Sequence, residues 1–322
     1  MTGQPVSGYL AASDRAAPRT DPMTLECDDM THLIEATGLT KHYEGFSLDG
    51  VDLTVDDGEV VGFVGKNGAG KSTTIKALLG LIGVDAGEAR LLGQVSTGGG
   101  LAPEVRERIG VVFDTVSVPP HLKVGDVGRL YGRAFRTWEG HAFARRLKDF
   151  GLDAGKQVKE LSRGMGMKLS LACALSHGSS LLILDEATAG LDPMAREEVL
   201  DMLRDFVAAP GRAILMSSHI TSDLERIADR IVCIDAGRIV FDLPKDVITD
   251  ETGIARCRVA DFERVAASGV VPERELRYLR HDYGIDVLVP DRFTFAETFP
   301  DIPCDRMTID DYMALTLKGG VR

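Results

Sequence analysis

Glu59-Val60-Val61-Gly62-Phe63-Val64-Gly65-Lys66-Asn67-Gly68-Ala69-Gly70-Lys71-Ser72 is the stretch whose reading decides the fold. It opens on a short β-branched run, which predicts a strand. It then passes through G-x-x-x-x-G-K-S and runs into Thr73–Leu79, where Ile75, Leu78 and Leu79 recur at helical spacing and Gly80 supplies a stop. A strand, a glycine-rich turn and a helix in that order is the context a phosphate-binding loop requires. The glycines let backbone N–H groups close around phosphate oxygens, and the helix N-terminus adds partial positive charge. Lys71 is placed to neutralise the β- and γ-phosphates, and Ser72 to ligate Mg²⁺. Gly65, Lys66, Asn67, Gly68, Ala69, Gly70 and Thr73 complete the candidate loop.

Working outward, Leu181-Leu182-Ile183-Leu184 is a continuous apolar run that suits a strand covered on both faces, as in a parallel sheet. It ends in Asp185-Glu186, at the strand edge where open α/β sheets bind ligands. Asp185 there can hold Mg²⁺ directly or through water, and Glu186 suits a base that polarises an attacking water. The alternative is a solvated acidic pair at a strand end. Ala213–Ser217 is a further apolar run, followed by Ser218 and His219. A strand-end histidine there could reach the γ-phosphate; taken alone, such a histidine is more often structural.

Composition bounds these readings. The 322 residues suffice for one large core, or one core with an appendage. Lys and Arg total 37 against 49 Asp and Glu, a net charge of −12, which argues against nucleic acid as a partner and against adsorption to an anionic membrane surface. No apolar run approaches the roughly 20 residues needed to span a bilayer. Asp14, Arg15 and Asp21 interrupt any apolar core of a secretory signal. The five cysteines, Cys27, Cys173, Cys233, Cys257 and Cys304, are scattered without a Cys-x-x-Cys pair, which fits reduced thiols better than a disulfide framework or a zinc site. Cys173 and Cys233 lie in apolar stretches and read as packing residues.

Residues 1–30, rich in Ala, Ser, Pro, Thr and Asp, read as a disordered tail. Leu33–Ala36 and Val51–Val55 read as strands, and residues 104–176 as mostly helix, with amphipathic tracts at Val124–Phe135, His141–Phe150 and Gly164–Leu175. Pro193–Val207 reads as a helix with proline in its first turn, and Ile231–Ile234 as a strand turned by Asp235–Arg238 into Ile239–Phe241. After Pro244 the sequence shows mixed short elements without a chemical motif. Thr308–Asp311 there looks like a capping box opening a last helix that Gly319-Gly320 ends.

Taken together, these motifs resemble the ATP-binding subunit of an ABC transporter. Gly65–Thr73 resembles the Walker A loop, Leu161-Ser162-Arg163-Gly164-Met165 the signature loop, and Leu181–Glu186 the Walker B strand with its catalytic Glu. Ala189-Gly190-Leu191-Asp192 resembles the D-loop, His219 the switch histidine, and Tyr43 the aromatic position that stacks on adenine. The resemblance covers about residues 32–243. It implies an α/β fold: a P-loop NTPase core with an antiparallel β subdomain, a helical signature subdomain over about residues 115–176, and a small C-terminal appendage over 244–322. It also implies ATP and Mg²⁺ as ligands, a second ATPase subunit, and a separate transmembrane permease that holds the chain at the cytoplasmic face of the membrane. ATP on one subunit's Walker A loop is expected to be capped by Ser162 and Gly164 of the other, with Asp192 beside it, so that the isolated chain is a poor ATPase.

Two departures from the family pattern stand out, one in the signature and one at Asp114. Arg163 and Met165 replace the usual Gly and Gln of the signature, an LS-x-GM form that resembles exporter-type ATPases with separate permeases. Asp114 stands after the strand Ile109–Phe113 where the family has a metal-sensing Gln; Asp can accept from metal-bound water but cannot donate as an amide does. The competing reading is a soluble ABC ATPase acting on ribosomes or DNA. The acidic balance, the single phosphate loop and the short span from Ser72 to Leu161 oppose it.

Overall fold

Three strands predicted from continuous apolar runs, Val60–Val64, Leu181–Asp185 and Ala213–Ser217, are buried along their whole length. In the computed structural model, which describes residues 32–321, they form the middle of a six-stranded sheet. Its order is Arg238–Pro244, Arg230–Asp235, Val60–Val64, Ala213–Ser217, Leu181–Asp185, Ile109–Val112. All neighbours are parallel except the first pair, the hairpin turned at Ala236-Gly237. The proposed tail, residues 1–30, lies outside the described residues.

Strand periodicity then sorts the core. Successive side chains point to opposite faces, so Val60, Leu182, Leu184, Ile214 and Met216 enter one apolar cluster, whereas Val61, Phe63, Leu181, Ile183 and Leu215 enter another. The second cluster is closed by the helix Lys71–Leu78 and by a four-stranded antiparallel sheet, ordered Phe46–Asp56, His32–Tyr43, Ala86–Leu91, Gln94–Val95. The strands expected at Leu33–Ala36 and Val51–Val55 are the centres of its two long members. The first cluster is closed by the helices Val124–Ala134, Gly140–Asp149, Arg163–Ala174 and Pro193–Val207. Their bounds agree with the apolar spacings read in the sequence to within two residues. Cys173 and Cys233 are buried in this cluster as packing residues.

Arg230 ties the two sheets together. Its guanidinium donates to Glu59 Oε1 at 2.6 Å, to both oxygens of Asp242 at 2.8 and 2.7 Å, and to the carbonyl of Thr54 at 2.7 Å. The bond to Glu59 is the main reason its pKa is driven further upward.

Residues after Pro244 are more ordered than mixed short elements. They build a five-stranded antiparallel sheet, ordered Cys304–Arg306, Gly253–Cys257, Gly284–Val289, Arg277–His281, Gly320–Val321. Ala255, Cys257, Ile285, Val287 and Val289 pack with Phe262 and Phe295 of two helices into a separate small core. Ile254 and Leu288, on the other face, join the large core, as do Ile309 and Leu315 of the helix Ile309–Lys318. Thr308 caps that helix as expected, accepting from the backbone N–H of Asp311 at 3.1 Å. Among the described residues no helix is long and apolar enough to cross a membrane.

Arg230→Met would leave Glu59 and Asp242 without their shared cation. It is expected to lower stability by about 2 kcal/mol, read as a shift of the urea midpoint at unchanged m-value.

Candidate functional site

The parallel strands end on one edge of the sheet, and the phosphate loop and Asp185-Glu186 lie there. Behind the loop the packing is close: a Cβ on Gly65 would stand 2.2 Å from the carbonyl oxygen of Ile234. Only glycine lets the turn pass that strand. Lys71, buried at the start of its helix, donates to the carbonyls of Gly65 at 2.7 Å and Lys66 at 3.3 Å. Its ammonium is thereby aimed along the inside of the loop. Lys66 pairs with Asp235 at 3.6 Å.

A cavity of about 720 Å³ opens over this edge. Lys66, Asn67, Gly68, Gly70, Lys71, Ser72 and Thr73 line it from the loop, and Asp114, Glu186 and His219 from neighbouring strand ends. Asp185 lies behind Glu186, 2% exposed, and accepts from the hydroxyl of Ser217 at 2.5 Å. One carboxylate oxygen is thus held by protein.

Glu186 is one of the few non-glycine residues with positive φ, at 57°. Such a conformation is uncommon for a side chain of this kind and is kept only where the surroundings impose it. Here its N–H donates to the carbonyl of Ser217 at 3.1 Å and to the Ser217 hydroxyl at 3.3 Å. Its Oε2 accepts from the N–H of His219 at 3.3 Å and lies against His219 Nδ1. The turn swings the carboxylate away from the strand and fastens one oxygen to His219. Oε1 has no protein partner among the described residues.

Besides Asp185, and Gly65 and Ala69 of the loop, four of the residues read from sequence do not line the cavity. Tyr43 ends its strand 46% exposed, with the ammonium of Lys41 5.8 Å from the ring centre. Ser162 caps the helix Arg163–Ala174, accepting from the N–H of Met165 at 3.3 Å. Asp192 caps Pro193–Val207, accepting from the N–H of Ala195 at 3.0 Å, and that bond lowers its pKa. Gly164 faces the D-loop segment: a Cβ there would stand 2.6 Å from the carbonyl oxygen of Gly190. This close approach by itself requires glycine at 164.

Four residues contribute to the cavity in ways the sequence did not reveal. Gly45-Phe46 lines the cavity beside the phosphate loop, and Arg163 lines it from the signature segment. Phe46 stands three residues after Tyr43, so the aromatic pair was visible but its register was not. Ser217, which holds both Asp185 and the backbone of Glu186, carried only its place at the end of an apolar run.

The oxygen donors present suit Mg²⁺: a serine hydroxyl exposed on the cavity, a carboxylate with one oxygen engaged, and a second carboxylate in Asp114. Mg²⁺ usually takes only one or two protein carboxylates, the rest of its shell coming from phosphate and water.

Comparison with known proteins places this geometry. Residues 48–189 match the family model described as ABC transporter. The chain is 35% identical over 231 residues to the Nod factor export ATP-binding protein I of Cupriavidus metallidurans, covering 70% of this chain and 75% of that protein. It is also 35% identical over 261 residues to the daunorubicin/doxorubicin resistance ATP-binding protein DrrA of Streptomyces peucetius, covering 78% of each. The solved structure of the ATP-binding subunit of an ABC transporter matches with a TM-score of 0.61 at 30% identity, over 67% of this chain and 91% of that one.

Ser217→Ala removes a hydrogen bond to a buried carboxylate. A loss of about 2 kcal/mol in unfolding free energy is expected, measured by denaturant melting.

Proposed function

The chain belongs to the ABC transporter ATP-binding family, and on that premise we propose how its cavity works. The protein is the ATP-binding and ATP-hydrolysing subunit of a membrane exporter. One observation carries the site assignment: the phosphate loop, Glu186 and His219 line a single cavity, with Asp185 directly behind it.

In this reading the loop N–H groups and Lys71 take the β- and γ-phosphates of ATP. Ser72, Asp185 and Asp114 hold Mg²⁺, which when bound neutralises phosphate charge. Glu186 accepts the proton of the attacking water through Oε1, while His219 keeps Oε2 in place. The positive φ at Glu186 supports this role, because it turns the carboxylate out of the strand without disturbing Asp185. Tyr43 and Phe46 are the aromatic groups available to the adenine.

The remaining proposals concern assembly. Ser162, Gly164 and Asp192 serve the nucleotide of a second ATPase subunit, so that ATP closes a dimer and hydrolysis opens it. A separate permease receives that motion and holds the protein at the membrane. An apolar cleft of about 320 Å³ supports this reading; Thr115, Ser117 and Val118 line it together with Tyr131 and Phe135. By the family resemblance, the segment Thr115–Val124 that follows Asp114 helps form the groove for a permease helix, and part of that segment lies in this cleft. Residues 31–243 form the ATPase domain in this scheme, and 244–322 an extension fixed to it through Ile254 and Leu288 of its sheet and Leu315 of its last helix.

Glu186→Gln is expected to keep ATP binding and to cut turnover by at least about a hundredfold, measured as phosphate release and filter-bound ATP on the same sample. Normal turnover would remove Glu186 from the role of base. Lys71→Ala is expected to lose most nucleotide affinity by equilibrium titration, and unchanged affinity would contradict the phosphate-loop assignment.

A further inference from the structure

The helix Thr221–Ile227 begins two residues after His219. Seven residues long, it is too short to hold its own place, and what packs on it sets its position. Leu224 and Ile227 fix its apolar face in the large core. His219 is tied to its start. The N–H of Ile220 donates to the Ser218 hydroxyl at 3.0 Å, and that hydroxyl donates to the Ile220 carbonyl at 3.3 Å. These bonds straddle His219, whose backbone N–H and ring meet Glu186. A shift of the helix is therefore carried to the residue that fastens Glu186.

The C-terminal extension holds this helix by a polar contact. Glu225 Oε1 accepts from the backbone N–H of Ile309, 84 residues away in sequence, at 2.9 Å. Ile309 opens the helix Ile309–Lys318, where a backbone N–H has no partner within the helix and a negative charge is favoured. Thr308 serves the N–H of Asp311, so the two caps of this helix come from distant parts of the chain. The contact is selective. Lys245 and Arg306 line the same small cavity as Glu225, yet Lys245 pairs with Asp246 and Arg306 with Asp250. Among the described residues Glu225 has no ion pair and no other hydrogen bond. Asp223, two positions earlier and on a different side of the helix, is 2% exposed and faces Arg196 Nε at 3.7 Å. Arg196 Nη2 donates in turn to the Leu191 carbonyl at 3.3 Å. The helix is thus gripped between the segment at Leu191 and the extension.

We propose that Glu225 is a positioning residue for the hydrolysis step. By clamping the last helix onto Thr221–Ile227 it sets where His219 holds Glu186, and so makes turnover depend on residues 244–322. The inference rests on the reading of Glu186 and His219 as the pair that acts on the attacking water, and it adds a point of control outside the cavity. Glu225 does not line that cavity. Loss of the clamp therefore spares ATP binding, which belongs to Gly65–Ser72, and slows the step that needs Glu186.

The test uses the full chain at one fixed concentration, with light scattering confirming that each variant associates to the same extent as the unaltered chain. Release of labelled phosphate at saturating Mg²⁺-ATP and equilibrium titration of ATP are read on the same samples. Glu225→Ala keeps a good helix former at the position and removes the acceptor. Glu225→Gln keeps a carbonyl oxygen for the N–H of Ile309. Asp291→Ala is the comparison. Asp291 caps the helix Arg292–Thr298, accepting from the N–H groups of Phe293 and Thr294 at 2.9 and 3.2 Å, so its loss weakens the extension away from Glu225. Turnover is expected to fall about tenfold in Glu225→Ala at unchanged ATP affinity. It is expected to recover in large part in Glu225→Gln and to stay near normal in Asp291→Ala. Unchanged turnover in Glu225→Ala, alongside the loss in Glu186→Gln, would overturn the proposal and leave the nucleotide site standing. An equal fall in Asp291→Ala would also overturn it, marking lost stability of the extension rather than lost position. So would a Glu225→Ala chain that does not fold, or one in which affinity falls with turnover, since either marks a purely structural contact. Failure of the unaltered chain to bind and hydrolyse ATP would instead remove the reading on which the proposal rests.

Discussion

Val60–Val64, Leu181–Asp185 and Ala213–Ser217 have protein on both faces, and no water reaches their side chains. Every backbone polar group in such strands must find its partner in the ladder, because desolvating an unpaired one is costly. The chemistry is thereby confined to the strand ends. At the C-terminal edge the chain leaves the sheet, and the loop Gly65–Ser72, the turn at Glu186 and the segment at His219 leave it side by side. Parallel pairing brings together groups widely separated in sequence. It also aims all of them at one cavity.

That confinement explains the strain at Glu186. Asp185 is the last buried residue of its strand, and its neighbour must reach the cavity at once. A left-handed turn accomplishes this in one residue, and Ser217 on the adjacent strand holds both sides of it. A similar economy operates between the signature segment and the D-loop. Gly164, two residues after the cap Ser162, passes the Gly190 carbonyl only because it lacks a Cβ.

The legible part of the fold was that with local signals. Apolar periodicity located the helices Val124–Ala134, Gly140–Asp149, Arg163–Ala174 and Pro193–Val207, since a helix makes its hydrogen bonds within itself. The C-terminal sheet was not legible. Gly253–Cys257 carries Arg256, and Gly284–Val289 carries Asp286; each charge interrupts its short apolar run, yet Arg256 and Asp286 pair across the ladder. The partner strand Cys304–Arg306 spans three residues, too short for any pattern. In the site, the phosphate loop and Asp185-Glu186 were readable because their residue types and order carry the chemistry. Phe46, Ser217 and Arg163 were not, because their place in the cavity depends on register and side-chain direction.

By itself the sequence determined which reactive groups this protein owns and that a nucleotide loop begins at the end of a buried strand. These follow from residue type, spacing and local periodicity. Only the tertiary structure decided which groups face one another: that Glu186 is fastened to His219, that Asp185 is fixed by Ser217, and that Arg163 and Asp114 share a cavity with the phosphate loop. The physical reason is that strand order in the parallel sheet is set by burying apolar faces on both sides. That requirement is satisfied by the chain as a whole and is not written in any one segment.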